Sequence, residues 1–162
     1  MRAVRRHQRG FTYVMMLAAV AVLAITAGAA GTVTSRRVQA DKEAELLFRG
    51  QAYARAIGGY YEAAEELGDV KRYPRRLEDL VKDPRFVHRR HIRRVYEHPI
   101  DEREWVLLRG PGGGIRGVAS PSREEPLKKA NFPPGLESFA GAGSYNEWLF
   151  IYEPRRDAPR TR

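Results

Sequence analysis

The sequence predicts an α+β fold in which a long N-terminal transmembrane-plus-amphipathic helix packs on a small antiparallel β-sheet. Three observations predict it. Phe11 to Thr34 carries no charged residue. A stripe of apolar and small residues, Leu46, Gly50, Tyr53, Ile57, Tyr60, Tyr61 and Ala64, then recurs at three- and four-residue steps. Short β-rich runs separated by glycines and prolines fill the second half of the chain.

The apolar run comes first. Arg2, Arg5, Arg6 and Arg9 precede Gly10 with no acid among them, and Ser35-Arg36-Arg37 closes the run. Phe11 to Thr34 would make a helix of about 36 Å, against a hydrocarbon core of about 30 Å. In lipid the backbone must satisfy itself, so the expectation is a transmembrane helix over 11–34. The positive-inside bias leaves the basic leader, 1–10, in the cytoplasm. Residues 35–153 are then a periplasmic α+β domain, and the basic, proline-containing 154–162 is a disordered tail. A rival reading is an ordinary signal peptide cut at Ala27-Gly28-Ala29, giving a secreted protein that starts near Ala30. The same small residues, Ala24, Gly28 and Gly31, also allow close helix–helix approach.

The junction Arg9-Gly10-Phe11-Thr12-Tyr13, followed by the apolar run, resembles the class III signal of type IV pilins and type II secretion pseudopilins. The resemblance implies processing at Gly10 and Phe11. A prepilin peptidase would cut between them and methylate the new N-terminal Phe11. It also implies a pilin-like fold, other pilin or pseudopilin subunits and an inner-membrane assembly platform as partners, and membrane lipid around the helix. The implied location is the bacterial inner membrane, single-pass, with the C-terminal domain in the periplasm. The implied function is assembly into a type II secretion or type IV pilus-type filament for protein secretion or pilus function. A separate cytoplasmic ATPase drives extension in that family, so the subunit needs no catalytic site. One position departs from the pattern. The fifth mature residue is usually Glu, which is thought to pair with a neighbouring subunit's N-terminal amine. Here it is Met15, which favours a minor or tip-like subunit. The alternative from another class is a secreted or membrane-anchored periplasmic binding module that does not polymerise.

The amphipathic stripe predicts one helix from about 11 to 67, ending at Gly68, whose lack of Cβ suits a left-handed C-terminal position. Lys42, Glu43, Glu45, Arg49, Arg55, Glu62 and Glu65 are expected on its other faces. Pro74 and the spacing of Leu77, Leu80 and Val81 predict a short helix over about 75–82, closed by Asp83-Pro84. Glu104 to Leu108 and Ile115 to Ser120 read as two strands joined by Gly110-Pro111-Gly112-Gly113-Gly114. Pro121 to Gly143 is irregular, with one helical turn expected around Leu127 to Phe132 and another at Leu136 to Ala140. Glu147 to Tyr152 is expected as a third strand. This order also resembles the layout of the major pseudopilins. Their Asp-rich calcium loop has no counterpart between Pro121 and Tyr152, so no calcium site is carried over.

Charge and chemistry exclude several functions. The net charge of +9 is concentrated at the ends, where the leader holds +4 and the tail +3. The body keeps 21 basic and 19 acidic residues, so nucleic acid is not an expected partner. Without Cys there is no thiol nucleophile, redox pair or thiolate metal site. His88, His91 and His98 lie among Arg89, Arg90, Arg93 and Arg94, and are read as a solvated surface and not as metal ligands. The glycine loop lacks the Gly-Lys-Ser/Thr of a phosphate cradle. Ser120, Ser122, Ser138 and Ser144 have no nucleophile-elbow context. Glu43/Glu45, Glu65/Glu66, Asp101/Glu102 and Glu124/Glu125 read as solvated faces. No enzyme activity, catalytic residue, cofactor or metal is expected.

Overall fold

Helix α1 (Arg9–Glu62) opens the described chain. The computed structural model describes residues 9–101 and 103–154; within α1, only the backbone of 9–11 and 25–34 is described. The chain forms two units, Met1–Ala40 and Asp41–Arg162.

In the first unit the structure corrects the expected fold. Among the described residues, no helix is long and apolar enough to cross a membrane, so the transmembrane part of the prediction is overturned. Described side chains in the apolar run cover 12–24, about 20 Å of helix against about 30 Å of hydrocarbon. They are nonetheless apolar on every side. Tyr13, Val14, Met15, Met16, Leu17, Val20, Val22 and Leu23 are each more than half exposed. Most of the leader, 1–8, and the tail from 155 lie outside the described residues.

The second unit is α+β with a three-stranded antiparallel sheet. Its part of α1 buries the predicted stripe: Leu46, Tyr53 and Ile57 are fully covered, and Tyr60 nearly so. The α-helix stops at Glu62, five residues before the expected end. A 3-10 turn (Glu65–Leu67) continues the chain to Gly68, whose φ of 64° is the expected left-handed cap. Helix α2 (Glu78–Val81) buries Leu80 and is shorter than the sequence implies. Its entrance is fixed by Asp79, whose Oδ2 accepts from the backbone N–H groups of Arg75 and Arg76 at 3.2 and 3.1 Å.

Strands β1 (Val106–Arg109), β2 (Ile115–Ala119) and β3 (Leu149–Ile151) lie in the order β1-β2-β3. Val106 pairs with Ala119, and Val118 with Phe150. The β1–β2 hairpin closes through a 3-10 turn in which Gly112 and Gly113 take φ of 79° and 77°, positions that a side chain would strain. Phe150 and Trp148 carry the sheet's third strand into the core, where Trp148 stacks on Phe139 at 5.2 Å.

The sheet sits on α1 because Gly50 lets it. A Cβ at Gly50 would lie 2.5 Å from the Phe150 ring carbons. Gly50→Ala must therefore push β3 away from the helix, and overpacking of this kind costs about 1–3 kcal/mol. A urea titration is expected to show the midpoint falling with no change in slope.

The helical turn predicted over 127–132 does not form. Pro126, Pro133 and Pro134 supply no N–H, and the amides of Leu127 and Lys128 go instead to the Glu43 carboxylate of α1. The turn expected near Phe139 is present as a 3-10 turn, Glu137–Phe139, and a second, Tyr145–Glu147, leads into β3.

Candidate functional site

The predicted processing residues fall at the start of α1. Gly10 and Phe11 belong to its first turn by backbone, and their side chains lie outside the described ones. A protease that reads an extended backbone must unwind that turn, which is helped by glycine's poor helix propensity, about 1 kcal/mol worse than Ala. The exposed apolar residues from Tyr13 to Leu23 follow directly. A helix apolar all round buries itself against something.

In the second unit, two polar constellations were not read from the sequence. The first is centred on Asp83, which is fully buried. Its Oδ1 accepts from Arg85 Nε at 2.9 Å and from the Arg85 amide at 3.0 Å, and its Oδ2 from Arg85 Nη2 at 2.8 Å. His91 Nε2 lies 2.9 Å from Oδ2 and must carry the proton there, since an ionised carboxylate only accepts. Burial alone would raise the Asp83 pKa; the bonds from Arg85 and His91 outweigh it and hold the carboxyl at about 2. Arg85 also donates to the Tyr60 carbonyl at 2.7 Å and lies 3.8 Å above the Tyr60 ring. The group thus ties the segment after α2 to the end of α1. It corrects the solvated-surface reading of the histidines: the His91 side chain is 5% exposed and that of His98 is fully buried, while His88 stays exposed.

The second constellation is Glu43. Expected on a solvated face, it is 5% exposed. Its carboxylate accepts from Leu127 N at 2.8 Å, Lys128 N at 3.0 Å and Tyr145 Oη at 2.8 Å. Nothing in the local sequence marks it, because its partners are more than 80 residues away.

A cleft of about 670 Å³ opens beside β1. Leu77, Tyr96, Trp105 and Leu107 give it apolar walls. Trp105 is oriented by its Nε1–H, which donates to the Tyr96 carbonyl at 3.0 Å. Tyr53 Oη holds the same segment from α1, donating to Tyr96 O and accepting from Tyr96 N at 2.7 Å. His98 packs edge-on to Trp105 at 4.9 Å, and its buried Nε2 has no hydrogen-bond partner. Burial pushes the His98 pKa below its ordinary value despite the nearby Asp101. Arginines 75, 76, 103 and 109 and glutamates 78, 97 and 104 also border the cleft. Arg103 is engaged by Asp101 at 2.6 Å.

Among the described residues that line this cleft, no Ser or Thr accompanies His98. Among the described residues, no group of three or more His, Asp or Glu is placed to hold a metal ion. The arrangement can bind by shape, charge and strand edge. Compared with protein-family models, curated proteins and solved structures, the chain matches none.

Proposed function

We propose that the chain is a pilin-like or pseudopilin-like subunit of a type II secretion or type IV pilus-type filament. Prepilin peptidase frees Phe11, and the apolar first half of α1 then packs against the same segment of other copies. The α+β unit forms the outer surface. Before assembly the chain resides at the bacterial inner membrane, with that unit on the periplasmic side and an assembly platform as its partner. One observation carries the reading. Right after the Gly10-Phe11-Thr12 junction, the helix presents apolar side chains on every side, the large ones each more than half exposed within its own unit. Exposed apolar area on this scale is a contact surface. Copies packed side by side would cover it at about 25 cal/mol per Å² removed from water.

Mass spectrometry of the mature protein tests this directly. The expected N-terminus is a methylated Phe11, and Gly10→Val is expected to leave the leader attached. An N-terminus near Ala30 would mean ordinary secretion. An intact Met1 in a strain with active prepilin peptidase would leave a non-polymerising binding module, the reading that the cleft beside β1 favours.

A further inference from the structure

We infer that the free edge of β1 and the cleft beside it form a docking groove for an extended segment of another protein, taken up as a fourth strand with a carboxylate at one end and a cation at the other. β1 is an edge strand, with β2 on one side and no strand on the other among the described residues. Its backbone polar groups on that side are a template for main-chain pairing. Val106 and Leu107 are 46% and 37% exposed, and the cleft of about 670 Å³ lies alongside to receive a side chain from the incoming strand.

Charge decides the occupant and its direction. Arg109 ends β1 opposite Ile115, whose amide donates to the Pro74 carbonyl at 2.7 Å. Gly110 and Gly114 lie against Tyr73. Arg75 and Arg76 follow Pro74 directly, so three arginines share the hairpin end of the groove. Among the described residues, Arg75 and Arg109 have no carboxylate within ion-pair distance, Arg109 Nη1 donating only to the Gly113 carbonyl at 2.7 Å, and Arg76 reaches Asp79 only at 4.0 Å. Glu97 and Glu104 border the other end, next to the Tyr96–Trp105 contact that precedes β1. Of the remaining charged lining, Arg103 there is already paired with Asp101 at 2.6 Å, and Glu78 lies close enough to Tyr53, beside Tyr96, to act on its hydroxyl. The groove is therefore charged along its length, basic at the end of β1 and acidic at its beginning. Antiparallel pairing, the better-bonded arrangement, places an acid at the start of the incoming strand and a Lys or Arg at its end.

The chain's own termini do not fit. Its leader and tail are arginine-rich, carrying +4 and +3, and lack the acid needed at the basic end apart from Asp157. Among its acidic residues, Glu65 is engaged with Lys71, Glu66 with Arg89 and Glu125 with Lys129. A polyanion such as nucleic acid meets glutamates at the other end and has no use for a strand edge. A segment of another protein remains.

The inference stands apart from the filament reading and is tested separately. The full chain is titrated with the capped hexapeptide Glu-Val-Thr-Val-Thr-Lys, with Lys-Val-Thr-Val-Thr-Glu, and with a single-stranded oligonucleotide, while backbone amide shifts are followed. Saturable shifts at Val106 to Arg109 are expected with the first peptide, and at least tenfold weaker binding with the swapped one. Arg109→Glu and Arg75→Glu are each expected to weaken the first peptide at least tenfold while the β2–β3 amides keep their positions. Equal affinity for both peptides, no saturation, shifts centred away from β1, tighter binding of the oligonucleotide, or concentration-dependent β1 shifts without any peptide would each overturn the proposal.

Discussion

Asp83→Ala is expected to lower the unfolding free energy of the second unit by about 3–5 kcal/mol, the range for breaking a buried ion pair from one side. Asp83 accepts from Arg85 Nε and Nη2, leaving the Tyr60 carbonyl as the other acceptor that orients the guanidinium, and without it Arg85 is left half-buried with no counter-charge. Arg85 Nη1 already has no hydrogen-bond partner, so little slack remains. The cost also reaches His91, whose Nε2–H loses its acceptor. A milder change, Asp83→Asn, keeps the shape and removes the charge, and isolates the pH dependence. The Asp83 carboxyl sits at about 2 when folded, below the ordinary value of about 3.9. A depressed carboxyl stabilises the fold above the unfolded-state pKa, and that stabilisation is lost as pH falls through the folded-state pKa. The wild type should therefore lose stability relative to Asp83→Asn as pH falls from about 4 to about 2. Chemical denaturation at a series of pH values checks this. A difference curve that is flat over that window would remove Asp83 from its role as the charged hub.

How much of this was legible in the sequence depends on how far apart the interacting residues lie. The stripe from Leu46 to Ala64 was legible because helical periodicity is local, and so was the hairpin, because its glycines sit where positive φ is needed. Gly68 as a left-handed cap followed from the same reasoning. The third strand was legible as a β-rich run, and its pairing to β2 gives the expected sheet. Periodicity failed where backbone donors found distant acceptors. The amides of Leu127 and Lys128 are satisfied by a side chain from α1, so the 127–132 segment has no need of helical bonds. The Arg- and His-rich stretch from Arg85 to His98 misled in another way. Counting charges makes it look solvated, but Asp83, just ahead of it, draws in Arg85 and His91, and Trp105 covers His98. The transmembrane span over 11–34 was inferred from a charge-free run, and among the described residues, whose side chains in that run cover only 12–24, no helix is long and apolar enough to cross a membrane. The cleft was illegible altogether, since its walls come from α2's entrance, the Val95–His98 segment and β1.

Glu43→Ala is expected to cost a further about 3–5 kcal/mol and to act on a different part of the unit. Hydrogen bonds to a charged group contribute about 1.5–3 kcal/mol each, and the three on Glu43 share one carboxylate, so their sum overstates the loss. What the alanine leaves behind matters more than what it removes. The buried Tyr145 hydroxyl and two part-buried backbone amides would lose this shared acceptor. Tyr145 is itself fully buried and stacks edge-on against Trp148 at 5.1 Å, so disturbance passes to the residue that precedes β3. Hydrogen exchange localises the effect: Leu127 and Lys128 should lose protection first, while the His91 amide, bonded to the Leu80 carbonyl at 2.8 Å, should keep its own. Glu43→Gln retains one acceptor oxygen and is expected to fall about midway between the wild type and the alanine variant. Unchanged exchange at residues 127 and 128 in Glu43→Ala would show that the irregular segment is held by its apolar contacts alone. In that case Glu43 would be a buried charge tolerated by the fold, and α1 would organise the sheet without organising the loop beside it.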